Sequence, residues 1–450
     1  MEPTAVKPTA EERHFQPEQM FFSTTDRRGV IASVNSTFVG LSRYSESELV
    51  GSPHSVIRHP GMPGAVFHIM WGRLLQGKPM MGYVKNLAKD GAHYLTFTTI
   101  TPLSEGFISV RSSITRPDLW EPVSRAYAET RALENQWRAA GMSKTQAAAQ
   151  GAVDLSARLA ASGFPTYDDL IRSLVPAEVD ERRRLAPPYP PRTLPGQMLH
   201  EVVIAIGRLD HELAMQRARY DDATEVAATL DVAQAQFSVT LAGLEAAASA
   251  AADAAATVES EAPAAATTAQ AALSLAVTAR ADFSALGQLL GDVRASVLDL
   301  RASLALSVLH NDMAMVFARE VALGASVGDP EATVVLLGAT VATSVRDSEQ
   351  LRQHVRDELA EVAAAIGEAN RALQRFQRML TNWRHVVVRS GVSQRLGALV
   401  DPIDGRLSTG LTEMRDLDDL AQRCFALGQA LDSDAVLVAA DDLVAAARRL

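Results

Sequence analysis

The 450-residue sequence predicts a protein in two parts. The first is an α+β domain with a five-stranded antiparallel sheet and flanking helices, and the second is an all-α antiparallel coiled coil or helical bundle. Thirteen of the 24 aromatic residues (13 Phe, 7 Tyr and 4 Trp) fall within the first 127 positions, where strand-like runs alternate with turn residues. The remainder is rich in Ala, Leu and Val, and its apolar positions repeat at heptad spacing. We therefore expect a globular head followed by a helical body.

Five strands are predicted in the head from short apolar runs bounded by turn residues. The turn letters DRRG join the first two runs into a hairpin, with glycine at the position that needs a positive φ. The letters DG join the third and fourth runs in the same way. The predicted strands cover residues 21–25, 30–34, 83–87, 93–101 and 107–114.

Two helices are predicted between the second and third strands. Ser45 and Glu48 fit a capping box, in which the serine hydroxyl and the glutamate carboxylate satisfy free backbone N–H groups at a helix start. Gly51 ends that short helix. A second helix is predicted over 64–76, because its apolar residues recur at helical spacing.

The body is predicted from an unbroken heptad seam in its third long helix. The seam consists of Val355, Leu359, Val362, Ile366, Ala369, Leu373, Phe376, Leu380, Trp383 and Val387. Similar seams begin at Ile206 and at Phe283. The segment 324–330, which contains Gly and Pro, breaks the helix between the seam that begins at Phe283 and the seam that begins at Val355. Helices on either side of such a turn are neighbours in an antiparallel hairpin.

These patterns divide the chain into six segments. They are a flexible N-terminus (1–20), the sheet domain (21–118), a helical connector (119–185), a Pro-rich linker (186–196), long coiled-coil helices with a hairpin turn near 324–330 (197–388), and C-terminal helices (389–450). Arg182, Arg183 and Arg184 are expected at a solvated helix end in the connector.

Composition excludes several classes of function. The formal net charge of −10 opposes nucleic-acid binding, since phosphate backbones attract basic surfaces. The single cysteine, Cys424, rules out a disulfide framework and a Cys-rich zinc site. No run of 18 apolar residues and no signal-peptide core occur, so we expect no membrane span and a cytoplasmic location. No phosphate-loop, nucleophile-elbow or zinc-helix motif is present, so we expect no catalytic residues, no metal site and no enzyme activity.

Three phrases in the head resemble PAS domains of the aerotaxis-receptor type, which bind FAD. They are FFSTTDRRGVIASVNSTFVGLSRYSESELVGSPHSVIRHPGMP, FHIMWGRLLQGKP and GYVKNLAKDGAHY. The resemblance implies a PAS fold and a non-covalent FAD site formed by Arg58, His59, Asn35, Trp71 and Asn86. An arginine can donate two hydrogen bonds to a phosphate, and an asparagine amide can both donate to and accept from a ring edge.

The head departs from the family pattern at Gly61, Met80 and Leu95, where the family usually has an aspartate and two tryptophans. Trp71 is also a candidate core residue, and Asn86 a candidate turn cap. The histidines His54, His59 and His68 are candidate haem ligands, since a single histidine can bind haem iron. Isolated histidines are usually surface or structural residues, so haem is not expected.

The resemblance implies a cytoplasmic PAS sensor of a redox- or oxygen-linked signal, with the head acting on a helical output body. The segment Leu309–Glu320 weakly resembles the tip of a chemoreceptor, which implies a chemotaxis kinase or its coupling protein as a partner. Shared heptad seams predict a parallel homodimer. The alternative is a ligand-free PAS domain on a coiled-coil scaffold for protein–protein interaction.

Overall fold

The computed structural model describes residues 6–186, 197–430 and 434–450, without the side chains of residues 197, 198, 220–227, 231, 282 and 430. The predicted Pro-rich linker lies almost entirely outside the described residues. The chain divides into two compact units. Unit 1 is drawn from Met1–Met215, Arg301–Glu349 and Asp434–Leu450, and unit 2 from Gln216–Leu300 and Gln350–Ser433.

A five-stranded antiparallel sheet forms the centre of the head, as predicted. Its strands are β1 (Phe21–Asp26), β2 (Ile31–Val34), β3 (Met80–Leu87), β4 (His93–Leu103) and β5 (Gly106–Ser112). They lie in the spatial order β2-β1-β5-β4-β3, so the first and last strands pair in the middle. This sheet with its flanking helices is the PAS fold that the sequence predicted.

Alternation along β1 and β5 gives the sheet two different faces, since successive side chains of a strand point to opposite sides. Ser23, Ser109 and Arg111 face a cavity on the inner side. Phe22 faces the outer side, where its ring meets the ring of Phe317 edge-on at 5.5 Å. Both faces of the sheet are therefore covered within unit 1.

Three helices follow β2 on the inner side. They are α1 (Ser36–Ser42), α2 (Glu46–Leu49) and α3 (Gly64–Leu74), with a 3₁₀ turn over His54–Ile57. The predicted capping box of Ser45 and Glu48 begins α2. Helix α1 was not predicted; it begins at Asn35, whose side chain accepts from the backbone N–H of Phe38, and ends at Arg43 with φ 62°.

The predicted connector forms three helices that pack onto the head. They are α4 (Pro117–Ala139), α5 (Lys144–Ala161) and α6 (Tyr167–Leu185). Buried Glu178 of α6 accepts hydrogen bonds from the Tyr83 hydroxyl at 2.7 Å and from the backbone N–H of Thr115 at 2.8 Å. These bonds join β3, the end of the sheet and α6, so the connector is part of the same unit as the head.

Two expectations at the edges of the head differ from the structure. The N-terminal segment was expected to be flexible, yet Arg13 donates to the carbonyl of Leu41 at 2.7 Å and forms an ion pair with Asp90. Arg182 was expected in solvent, yet it is only 4% exposed because it pairs with Asp312. In both cases the partner is distant in the sequence, so local patterns do not indicate it.

The described residues of the body form long and short α-helices. They are α7 (Gln197–Ala256), α8 (Pro263–Ala322), α9 (Pro330–Arg389), α10 (Ser393–Leu396), α11 (Asp401–Ala430) and α12 (Ala435–Ala447). Among the described residues, no helix has the length and apolar character needed to cross a bilayer.

Unit 2 buries the predicted α9 seam within a single chain. Every seam residue from Val355 to Val387 is at most 1% exposed. Asn370 of α9 donates to the Asp418 carboxylate of α11 at 2.6 Å, and the rings of Phe237 and Phe283 meet edge-on at 5.9 Å. A second chain is therefore not needed to cover this seam, and the homodimer stays a prediction.

We expect Ile366→Asp to destabilise unit 2 by about 3–5 kcal/mol, since a carboxylate would be buried without a partner in place of a fully buried Ile. Val388→Asp on the same helix is the matched control. Val388 is 58% exposed, and its replacement should change stability by about 0.5 kcal/mol or less. Urea unfolding measures both variants, and equal losses would contradict burial of the seam.

Candidate ligand-binding site

A cavity of about 330 Å³ lies between the inner face of the sheet and the segment from the 3₁₀ turn to α3. This volume falls at the lower end of the range of small-molecule sites. The residues that shape its charge and walls are Ser23, Arg28, Gly29, His54, Arg58, Phe67, Met70, Trp71, Met80, Asn86, Thr98, Phe107, Ser109, Arg111 and Lys144.

Arg111 supplies a buried positive charge at the floor of the cavity. It is 2% exposed, and it donates to the Ser23 hydroxyl at 3.1 Å and to His54 Nε2 at 2.7 Å. Its guanidinium also lies over the rings of Phe21 and Phe38, at 5.5 and 5.6 Å. Burial lowers the pKa of Arg111 to about 10, so the group remains cationic at neutral pH.

His54 is the neutral partner of this cation. Its Nε2 accepts from Arg111, so the proton of the neutral ring resides on Nδ1. Burial, and then the charge of Arg111, hold the pKa of His54 well below its ordinary value. The Arg111–His54 pair therefore carries one positive charge and no compensating negative one.

Arg58 places a second cation beside the cavity. Its guanidinium lies 3.4 Å from the centre of the Phe67 ring, and its buried Nε has no hydrogen-bond partner among the described residues. Burial lowers the pKa of Arg58. Arg28 and Lys144 are exposed residues of the same lining, so they lie at its solvent-facing edge.

The charge around the cavity is one-sided. Four residues of its lining are Arg or Lys, and none of the described residues that line it is Asp or Glu. A buried cation without a counterion is costly, and an anionic ligand would offset that cost. The cavity therefore suits a ligand with an apolar body and negative charge.

Aromatic and thioether side chains form the apolar walls. The Trp71 ring meets the Phe107 ring edge-on at 5.7 Å, and buried Met80 lines the cavity near them. Gly29, with φ 79°, leaves room for this indole, because a Cβ on Gly29 would lie 3.3 Å from the Trp71 ring. Leu95, the other substituted family position in the sheet, is not among the cavity residues.

Three of the five predicted site residues, Arg58, Trp71 and Asn86, line this cavity. The amide of Asn86 donates to the Thr96 hydroxyl at 3.1 Å. His59 lies outside the lining: its Nδ1 accepts from the backbone N–H of Gly61 at 3.0 Å, and burial lowers its pKa to about 4. Binding roles for all five remain predictions.

Asn35, the fifth predicted residue, lies away from the cavity and contacts the body. Its Oδ1 accepts from the backbone N–H of Phe22 at 3.2 Å, and its Nδ2 donates to the Glu320 carboxylate at 2.7 Å. The same carboxylate accepts from the backbone N–H of Ser36 at 3.2 Å and the Thr37 hydroxyl at 3.2 Å. Burial raises the pKa of Glu320.

The receptor-tip-like segment Leu309–Glu320 therefore packs on the outer face of the sheet. Phe317 is fully buried against Phe22, and His310 lies 3.5 Å from the Thr101 hydroxyl. We define residues 309–320 as the tip segment. Sequence reasoning did not identify Arg111 or Glu320, and it considered His54 only as a haem ligand, because the partners of these residues are brought together only by the sheet and the body.

These features define the head as a PAS domain, and the comparisons identify its type. The chain is 40% identical over 111 residues to the aerotaxis receptor of Escherichia coli, a match that covers 23% of this chain and 22% of the receptor. It is 33% identical over 81 residues to a nitrogen fixation regulatory protein of Klebsiella pneumoniae, covering 18% and 16% of the two chains. The chain thus carries a PAS domain of the aerotaxis-receptor type.

A solved structure was also found to be similar to part of the chain. A solved PAS domain from Colwellia psychrerythraea shares 23% identity, with a TM-score of 0.19, over 22% of this chain and 87% of that one. No protein-family model matches the chain. The chain spans about a fifth or less of the length of the curated relatives it matches.

We expect acidification to weaken unit 1 through His310. Burial holds the pKa of His310 at about 4, below the 6.5 of the unfolded state. Between pH 7.5 and 5 only the unfolded form takes up a proton, so folding loses about 2 kcal/mol from this residue.

Urea unfolding of the wild type and of His310→Gln at both pH values tests this. The variant should lose about 2 kcal/mol less between the two pH values than the wild type. The exposed His385→Gln is the control, and identical pH dependence of His310→Gln and wild type would contradict the assignment.

Proposed function

We propose that the chain is a sensor whose PAS domain binds FAD and passes a redox- or oxygen-linked change to the helical body. The observation that carries the proposal is the cavity itself, which combines apolar walls with buried, uncompensated positive charge. The relatives named as an aerotaxis receptor and a nitrogen fixation regulatory protein support a sensor role.

The residues of the cavity fit FAD by their chemistry. Trp71, Met80 and Phe107 offer apolar contact to the flavin ring, and the amide of Asn86 offers hydrogen bonds to its edge. The volume of about 330 Å³ encloses a ring system rather than a whole dinucleotide. The pyrophosphate would lie toward the solvent-facing edge, within reach of Arg58, whose Nε lacks a partner among the described residues. Bound FAD supplies the electron transfer.

The route from cavity to body runs through β1. Ser23 faces the cavity and accepts from Arg111, whereas the preceding residue, Phe22, packs on Phe317 and donates its N–H to Asn35. A change at the floor of the cavity that shifts β1 therefore acts directly on the contacts of the tip segment. We propose that this displacement is the intramolecular signal.

The proposed signal also bears on whether the tip segment is accessible to a partner protein. In the structure the tip segment is covered, because Phe317 is buried and Glu320 is bonded to the start of α1. We propose that a chemotaxis kinase or coupling protein would require this segment to be released from the sheet. The predicted homodimer is tested separately by light scattering, where a mass of one chain would refute it.

The alternative function, a ligand-free scaffold, predicts that side chains fill the space between the sheet and the helices of the head. The cavity beside Met80 favours a ligand instead. The deciding experiment is the absorbance spectrum of the purified chain after reconstitution with FAD and removal of excess FAD. We expect flavin absorbance at about one FAD per chain, and absence of bound flavin would overturn the FAD proposal.

We expect Arg58→Ala to weaken FAD binding by about 10- to 100-fold, the loss of a charge-assisted contact to phosphate. Riboflavin, which has no phosphate, should bind the variant and the wild type about equally. Fluorescence titration measures both ligands. An equal loss for FAD and riboflavin would place Arg58 at the ring rather than at the pyrophosphate.

We expect Glu320→Gln to loosen the tip segment from the sheet. Replacing a charged acceptor by an amide weakens three hydrogen bonds, and a loss of about 1–2 kcal/mol raises local opening by about 5- to 30-fold. Hydrogen–deuterium exchange of peptides covering α1 and residues 309–320 measures it.

The control for this exchange experiment is Glu331→Gln, an exposed carboxylate in the first turn of α9. It should leave exchange in both peptides unchanged. If Glu320→Gln also leaves exchange unchanged, the Asn35–Glu320 contact does not hold the tip segment.

A further inference from the structure

The interior of the cavity and its edge carry different kinds of cation. Arg28 and Lys144 are exposed and Arg58 is partly buried, so these three suit a phosphate that stays in contact with water. Arg111 is 2% exposed and belongs to the centre of the sheet, paired with Thr98 across β4 and β5. A ligand in the cavity would therefore contact Arg111 through the part that is enclosed by the protein. The part of the ligand that stays in contact with water would lie near Arg28, Arg58 and Lys144.

The neighbours of Arg111 hold it in place without neutralising it. Ser23 and His54 each accept one of its N–H groups, and the rings of Phe21 and Phe38 contact its face. A guanidinium has five N–H donors, so others are left for a ligand. Neutral acceptors and aromatic faces do not cancel the charge, and no Asp or Glu lies among the described residues of the cavity.

We propose that Arg111, oriented by Ser23 and His54, is the group that stabilises negative charge on the enclosed ring of the cofactor when that ring is reduced. The inference rests on the proposed binding of FAD. Charge near the ring nitrogens is one of the means by which a protein sets the potential of a flavin. Arg111 therefore favours the reduced ring over the oxidised one, and it raises the reduction potential.

The proton balance of the step follows from this placement. In the titration, a chemical reductant supplies two electrons and water supplies one proton. Together they convert the neutral oxidised ring into a reduced ring with one negative charge, and Arg111 compensates that charge. Without the cation, the apolar cavity disfavours a charged ring, so the reduced ring takes up a second proton from water and becomes neutral. The neutral His54 does not supply that proton, because its one N–H, on Nδ1, belongs to a neutral imidazole and is a very weak acid. Its Nε2 accepts from Arg111 and so does not take up a proton to pass on.

The experiment is a redox titration of the FAD-loaded full chain between pH 6 and 8, for the wild type and for Arg111→Gln. One proton for two electrons gives the wild type a midpoint potential that falls by about 30 mV per pH unit. In Arg111→Gln, we expect the reduced ring to lose about tenfold in affinity relative to the oxidised ring, which lowers the midpoint potential by about 30 mV. The variant should also fall more steeply with pH, toward about 59 mV per unit.

Two matched variants separate charge from structure. Arg111→Lys keeps the cation, so it should restore most of the lost potential. Arg58→Ala removes a cation assigned to the pyrophosphate, so it should weaken both redox forms equally and leave the potential unchanged. A role of Arg111 limited to packing on Phe21 and Phe38 would lower stability in Arg111→Gln without moving the potential.

Each outcome decides a different point. Absence of flavin from the reconstituted wild type overturns the proposed function, and this inference with it. Flavin in the wild type with a slope of about 59 mV per pH unit overturns the inference alone, because the reduced ring is then neutral. That measurement needs no variant, so it decides the question even if Arg111→Gln does not retain FAD.

Discussion

The alternation of side chains along β1 is the constraint on which the rest of the head depends. A strand must direct neighbouring residues to opposite faces, so Ser23 and Phe22 cannot serve the same side of the sheet. Ser23 completes the floor of the cavity through Arg111, and Phe22 receives the ring of Phe317 from the body. Ser23, which bonds to the buried Arg111, and Phe22, which packs on Phe317 of the body, are thus adjacent residues of one strand. Any ligand that repositions Arg111 acts on a strand whose other face already carries the tip segment.

Buried charges in unit 1 follow two patterns, and the contrast between them identifies the site. Glu134 accepts from the backbone N–H groups of Gly64 and Ala65 at 2.7 and 2.8 Å, at the start of α3. Glu178 is likewise surrounded by donors, and Arg183 donates to Asp312 at 2.6 Å. These groups are compensated within the fold, which is the usual condition for buried charge. Among the described residues, Arg111 has neutral hydrogen-bond acceptors only, and this difference is the reason for proposing an anionic ligand in the cavity.

Local chemistry was enough to predict the sheet, the capping box of α2 and the turns at Gly29 and Gly91, since each depends on residues next to one another in the chain. It was not enough for α1, because Asn35 caps a helix too short to show a periodic pattern. The cavity was only partly predictable. Arg58, Trp71 and Asn86 came from the family resemblance, whereas Arg111 resides in a strand that reads as an ordinary alternating segment. Its partner His54 lies 57 residues away, and Glu320 lies 285 residues from Asn35. Sequence patterns carry no signal for such contacts.

The heptad seam of α9 illustrates a second limit, which bears on how the body responds. Spacing predicts that a helix face is buried, but it does not say whether the covering helix belongs to the same chain. Here Ile366 and Trp383 are fully buried within one chain, and Asn370 bonds to Asp418 of α11. The signal proposed above therefore does not depend on a second chain to cover this seam. That signal does depend on a contact that differs between two states of the head, and the carboxylate of Glu320 is the contact proposed for this role. Its three donors come from the first residues of α1 and from Asn35, the residue that also fixes the backbone of β1 at Phe22. A shift of β1 that moved Asn35 would remove a hydrogen bond from the partly buried carboxylate of Glu320. Because a buried charge that loses its hydrogen bonds is costly in free energy, a small movement of the strand would have a large electrostatic effect.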